Sequence, residues 1–141
     1  MAVICDTSGV YALYDTDDAQ HEAIATLIKV EPGPLFLPVI LLAEIDYLLN
    51  RRLGHDAAFE FIEAVEQGDF TLVALSTADF VRCREVVAQY RALEIGLADA
   101  SIVAAAERLN VARLLTQDHR HFRAITPRHI SHFILLPADA S

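Results

Sequence analysis

The feature that most constrains this 141-residue chain is an alternation of short apolar runs with longer helical patterns. The runs Val3 to Cys5, Leu35 to Leu37, Phe70 to Ala74, Ala112 to Leu115 and Phe133 to Leu136 are each bounded by a turn residue, a charge or a proline. They read as strands. Between them, His21 to Val30 carries Ala23, Ile24, Leu27 and Ile28 on one helical stripe. Val39 to Leu53 and His55 to Gln67 read as two consecutive helices, broken at Gly54 and stopped at Gly68. Thr77 to Tyr90 opens on Ser76 or Thr77 as a helix cap, and Ala98 to Leu109 carries Ile102, Val103, Ala106 and Leu109. Strands alternating with helices predict an α/β fold, a parallel sheet covered on both faces with right-handed crossovers. Neither repeat nor linker interrupts the pattern, so a single domain over residues 1–141 is expected.

A chain of this length can bury a core without disulfides or metal staples. Cys5 and Cys83 lie in apolar segments without C-x-x-C spacing and are expected to be two buried thiols rather than a pair. The longest apolar stretch, Leu35 to Ala43, contains Pro38 and stops at Glu44, well short of the ~20 residues of a membrane span. The first residues lack the basic flank and apolar core of a secretory signal, so a cytoplasmic protein without a membrane partner is expected. Net charge is −9, from 11 Lys plus Arg against 20 Asp plus Glu. That balance is the opposite of the basic footprint usual in nucleic-acid binders.

Ligands of open α/β sheets gather outside the carboxyl ends of the strands. The first strand is followed by Asp6-Thr7-Ser8 and the fourth by Thr116-Gln117-Asp118, an aspartate beside a hydroxyl in both cases. Four carboxylates stand out. Asp6 and Asp118 could each cap a helix, and Asp99 could favour a helix N-terminus. Glu44 interrupts an apolar turn, where a carboxylate either reaches solvent or meets a cation. Taken together they form a constellation: if the first and fourth strands are neighbours, Asp6 and Asp118 emerge side by side, with Asp99 and Glu44 within reach. Carboxylates crowded in a partly dry cleft raise one another's pKa, a conflict that a divalent cation relieves. Oxygen ligands without cysteines or clustered histidines suit a hard ion, Mg²⁺ or Mn²⁺, and such an ion suits phosphodiester chemistry. The pairs His119-x-His121 and His129-x-x-His132 do not have the character of a zinc site, because residues two apart on a helix point different ways and no thiolate accompanies either pair. Ser8 lacks the surroundings of a nucleophilic serine, and there is no glycine-rich phosphate loop.

The ordered set Cys5-Asp6-Thr7-Ser8-Gly9, Leu42-Ala43-Glu44-Ile45, Gly96-Leu97-Ala98-Asp99-Ala100, Leu115-Thr116-Gln117-Asp118 with His121-Phe122, and a closing Phe133-Ile134-Leu135-Leu136-Pro137 resembles the PIN-domain ribonucleases, and among them the VapC-type toxins of bacterial toxin–antitoxin pairs. The resemblance implies a five-stranded parallel sheet in the order 3-2-1-4-5 and a three-layer fold. It implies that Asp6, Glu44, Asp99 and Asp118 are catalytic, that Asp6, Asp99 and Asp118 hold Mg²⁺ or Mn²⁺, and that Ser8 and Thr116 support them. The activity implied is endonucleolytic cleavage of RNA by water activated at the metal, with inhibition of translation and growth. The partners implied are RNA, a cognate VapB-like antitoxin whose arginine would enter the acidic cleft, and a second copy of the chain in a homodimer. Ser131-His132 stands where the family has a glycine before its last strand, and Gln117 has no assigned role.

Two other functions compete. One is a protein-binding module with a degenerate site. The other is an aspartyl-phosphate phosphotransferase using Asp6, which would want a lysine, or less often an arginine, late in the chain beside the phosphoryl group and a second acid next to Asp6; the only lysine is Lys29, and Thr7 and Ser8 stand next to Asp6. Ten arginines remain for contact with RNA. Arg51-Arg52 is the most visible pair, placed where cations ordinarily offset the dipole at a helix C-terminus.

Overall fold

The computed structural model describes residues 1–140. In chain order the elements are β1 (Val3–Cys5), α1 (Thr7–Tyr14), α2 (His21–Val30), β2 (Leu35–Pro38), α3 (Leu42–Arg52), α4 (His55–Glu66), β3 (Thr71–Val73), α5 (Thr77–Gln89), α6 (Leu97–Leu109), β4 (Arg113–Leu115), α7 (His119–Ala124) and β5 (Ile134–Leu136). All five strands are parallel, in the order β3-β2-β1-β4-β5. The connections from β1 through β2 to β3 run one way across the sheet, and those from β3 to β4 and β5 return the other way. Right-handed crossovers therefore place helices on both faces, and the direction reverses between β1 and β4.

β1 is apolar throughout because it is the central strand: Val3, Ile4 and Cys5 are fully buried. Ile4 lies opposite Leu114, and Cys5 opposite Leu115, so β1 and β4 end level with each other. The Asp6 amide donates to the Leu115 carbonyl at 2.9 Å, extending the ladder one step beyond the strand. Directly after it, the first turn of α1 passes so close to β4 that a Cβ on Gly9 would stand 2.5 Å from the Leu115 carbonyl oxygen. Only glycine allows that approach. In α6, every residue from Ala100 to Ala106 is buried, and the small side chains among them let the helix lie close to its neighbours.

Several helix ends follow directly from their residues. Ser76 caps α5 in a reciprocal capping box with Asp79. The chain leaves α3 through Gly54, whose φ of 101° is open mainly to glycine. The expected helix from Val39 begins instead with a 3₁₀ turn, Val39–Leu41, because extended Pro38 (ψ 129°) precedes it, and the α-helix starts at Leu42. Cys5 and Cys83 are both buried and unpaired, as expected, and burial pushes the Cys5 thiol up to about 12. No helix among the described residues is long and apolar enough to cross a membrane.

Candidate metal centre and active site

A cleft of about 460 Å³ opens at the carboxyl ends of β1 and β4. Asp6, Glu44, Asp99 and Asp118, the four carboxylates singled out in the sequence, all line it. Asp6 contributes from the end of β1, Glu44 from the first turn of α3, Asp99 from the first turn of α6, and Asp118 from the cap of α7.

Asp6 is the most deeply set, with 6% of its surface exposed. Its Oδ1 accepts the Thr7 amide at 2.8 Å and its Oδ2 accepts the Thr116 hydroxyl at 2.8 Å. Ser8 Oγ lies 3.4 Å from the same Oδ2 and accepts the Gln117 amide at 2.9 Å, while Thr116 Oγ1 accepts the Asp118 amide at 3.0 Å. Ser8 and Thr116 thus hold the carboxylate from two sides, and their own oxygens are fixed by the loop after β4. Gln117, which had no role in the sequence, ties this loop down: its side-chain amide donates to the Ser8 carbonyl at 3.3 Å and to Asp18 at 3.2 Å.

Burial pushes the Asp6 carboxyl up to about 6; the Thr116 and Thr7 hydrogen bonds oppose the rise, and the charges of Asp99 and Asp118 add to it. Burial likewise raises Asp99 above the usual carboxylate range, with Asp118 and Glu44 adding to it and His121 opposing it. Asp6 and Asp99, both held back from ionising by burial and by neighbouring carboxylates, mark a site short of positive charge.

Glu44 is exposed at the rim of the cleft, the solvent-reaching one of the two settings expected for it. The candidate donors, expected to be oxygens alone, include a nitrogen. His121 Nδ1 lies 2.8 Å from Asp99 Oδ2 and 3.0 Å from Asp118 Oδ2, and one donor atom from each of Asp99, Asp118 and His121 falls within 4.8 Å of the others. Donors at adjacent corners of an octahedron with bonds of ~2.1 Å are roughly 3 Å apart. The spacing from His121 to each acid therefore fits a small divalent ion once the imidazole gives up its Nδ1 proton. The sequence carried one sign of this, since His121 follows Asp118 by three residues on a short helix and so returns to the same side. His119, two residues nearer, is exposed.

The rim holds one further surprise. Glu44, Leu48 and Arg52 recur every four residues along α3 and all three line the cleft, so Arg52 faces the acids as well as ending its helix.

A doubly wound parallel sheet whose reversal point opens into an aspartate-lined cleft defines the PIN-like class of α/β proteins. The PIN domain family model matches residues 3–126, a span that includes all four acids. The chain is 31% identical to Ribonuclease VapC26 of Mycobacterium tuberculosis over 135 residues, 96% of this chain and all of that one. Among solved structures it is similar to M. tuberculosis VapC20, described as a sarcin-ricin loop cleaving toxin, with a TM-score of 0.76 and 24% identity over 84% of this chain and 91% of that one. It is also similar in fold to VapBC2 from Rickettsia felis bound to a promoter DNA fragment, with a TM-score of 0.66 and 17% identity over 96% and 97% of the two chains. The chain belongs to the PIN-domain family, as one of its VapC-type ribonucleases.

Proposed function

We propose that this chain is a divalent-metal-dependent endoribonuclease and the toxin of a toxin–antitoxin pair, acting in the cytoplasm to stop translation. The observation that carries the reading is the meeting of Asp6, Asp99 and Asp118, from three separate elements, in one cleft of a VapC-type chain. Mg²⁺ or Mn²⁺ fits the residues present: Asp99, Asp118 and His121 offer converging donors, and Asp6 offers a buried carboxylate whose charge a cation would offset. When bound, the metal offsets the charge of a phosphodiester and makes a water molecule more acidic. The nitrogen donor favours Mn²⁺ over Mg²⁺ more than an all-oxygen set would.

The protein's own contributions are positional. Thr7, Ser8 and Thr116 fix the direction in which Asp6 presents its oxygens, so little reorganisation is needed when RNA arrives. Glu44, exposed at the rim, is free to accept a proton from an attacking water in the open part of the cleft.

Partners follow from the surfaces left apolar. An apolar groove between α3 and α4, with Tyr47, Phe59 and Ile62 exposed on those helices, supports docking of a VapB-like antitoxin, in keeping with the VapBC2 assembly of the R. felis relative. Phe80 and Val81 on α5, with Leu97 at the start of α6, support a homodimer contact. The phosphotransferase reading loses ground because Lys29 is not among the residues lining the cleft.

The test is cleavage of single-stranded RNA by the purified protein with Mn²⁺ or Mg²⁺, set beside the same reaction in EDTA and with Asp99→Asn. Cleavage that needs the metal and fails in the variant is expected. Undiminished cleavage in EDTA, or none under any condition, would overturn the reading.

A further inference from the structure

Five of the charged side chains lining the cleft are carboxylates, Asp6, Asp18, Glu44, Asp99 and Asp118, and one is a cation, Arg52. Resting on the ribonuclease reading, we propose that Arg52 is a substrate-positioning residue: its guanidinium receives a backbone phosphate of the bound RNA other than the one being cleaved.

Three observations carry this. First, Arg52 is exposed and makes no ion pair among the described residues, whereas Arg82, Arg108, Arg113, Arg123 and Arg128 are each engaged by a carboxylate. Its charge is available to a ligand despite the crowd of acids nearby. Second, its position is built. The guanidinium carbon lies 5.4 Å from the centre of the Tyr11 ring, on the half-buried face that α1 turns toward the cleft. Stacking on an aromatic ring leaves the N–H edges of the planar group uncovered, the arrangement that grips a phosphate through two parallel hydrogen bonds. Third, Arg52 shares one stripe of α3 with Glu44 and Leu48, so helix geometry fixes its offset from the acidic cluster. A polyanion drawn to an acidic cleft needs an anchor beyond the metal, and Arg52 is the group placed to supply it.

Such an anchor strengthens binding equally in the ground state and the transition state. Its loss therefore raises KM and leaves kcat nearly unchanged. The experiment is steady-state cleavage of a labelled single-stranded RNA in Mn²⁺ over a series of salt concentrations, comparing wild type with Arg52→Ala and Arg52→Lys. Arg52→Ala is expected to raise KM about tenfold, the scale of one charged hydrogen-bonding contact. It should also lower the slope of log KM against log salt by about 0.7, the signature of one lost phosphate contact to a single strand. Arg52→Lys is expected to keep the salt slope and recover part of the affinity, because it retains the charge without the fork. A merely structural role would alter kcat or the melting temperature and leave the salt slope in place, and that result overturns the proposal. An unchanged KM in Arg52→Ala, with wild type cleaving normally, overturns it alone. Absence of cleavage by wild type overturns the ribonuclease reading and this proposal together.

Discussion

Replacing Asp6 with Asn should make the metal-free protein more stable at neutral pH while removing the group at the centre of the cleft. Asp6 is ionised at neutral pH only against burial and the charges of Asp99 and Asp118, which together lift its carboxyl from 3.8 to about 6. At ~1.4 kcal/mol per pKa unit, that rise means ionised Asp6 costs the folded state roughly 3 kcal/mol. The sign follows from linkage. With the folded value above the unfolded one, the stability is present below about pH 4 and is lost as pH climbs through about 6. Asn carries no charge and avoids the loss. It brings one mismatch, because its amide group must face either the Thr116 hydroxyl or the Thr7 amide, both of which donate to Asp6. One such mismatch costs about 1 kcal/mol. The net gain is roughly 2 kcal/mol, a rise in Tm of about 4–8 °C for a chain of this size. Thermal melts followed by circular dichroism in EDTA at about pH 7.5 should show that rise, and melts at about pH 4 should show it gone. Added Mn²⁺ should raise the Tm of wild type more than that of the variant, which keeps Asp99, Asp118 and His121 but lacks the Asp6 charge. If Asp6→Asn is no more stable at neutral pH, or equally favoured at low pH, ionised Asp6 is not the burden inferred from its setting.

Two other substitutions probe the frame of the site. Gly9→Ala would drive a Cβ to 2.5 Å from the Leu115 carbonyl oxygen, which is itself held by the Asp6 amide. A loss of about 2–3 kcal/mol is expected, seen as a lower urea midpoint at unchanged m value; a gain from alanine's helix propensity would mean that α1 does not bear on β4. His121→Ala should weaken Mn²⁺ binding by about tenfold or more in calorimetric titration while affecting Mg²⁺ less. Equal titration curves for variant and wild type would reduce His121 to a hydrogen-bond donor between two acids.

What the sequence shows of the fold, it shows through local periodicity. β1 and α2 end where their apolar patterns end, since each is decided within a few residues. The sheet order, by contrast, rests on family resemblance: nothing local says that β1 pairs with β4. The same division runs through the site. Asp6 and Asp118 stand out because they lie within three residues of a strand's carboxyl end. His121 does not, because its importance depends on α7 meeting the start of α6, an encounter between residues 22 positions apart. The apolar turn before Glu44 left open whether its carboxylate reaches solvent or meets a cation. That turn is a separate 3₁₀ segment, and α3 begins afresh with Glu44 facing outward. Asp79, an ordinary acid by sequence, is buried because Ser76 and Arg108 come to it from opposite sides.

The hydrogen bond from Thr116 to Asp6 joins residues 110 positions apart. As the polypeptide emerges from the ribosome, Asp6 is exposed long before Asp118. Between those moments β1 has no β4 beside it and the cleft does not exist. A product truncated before Asp118 lacks two of the three converging donors, Asp118 and His121, however well its earlier helices have formed. This order of assembly leaves the growing chain without its acidic cleft until β4 and the residues after it have been made.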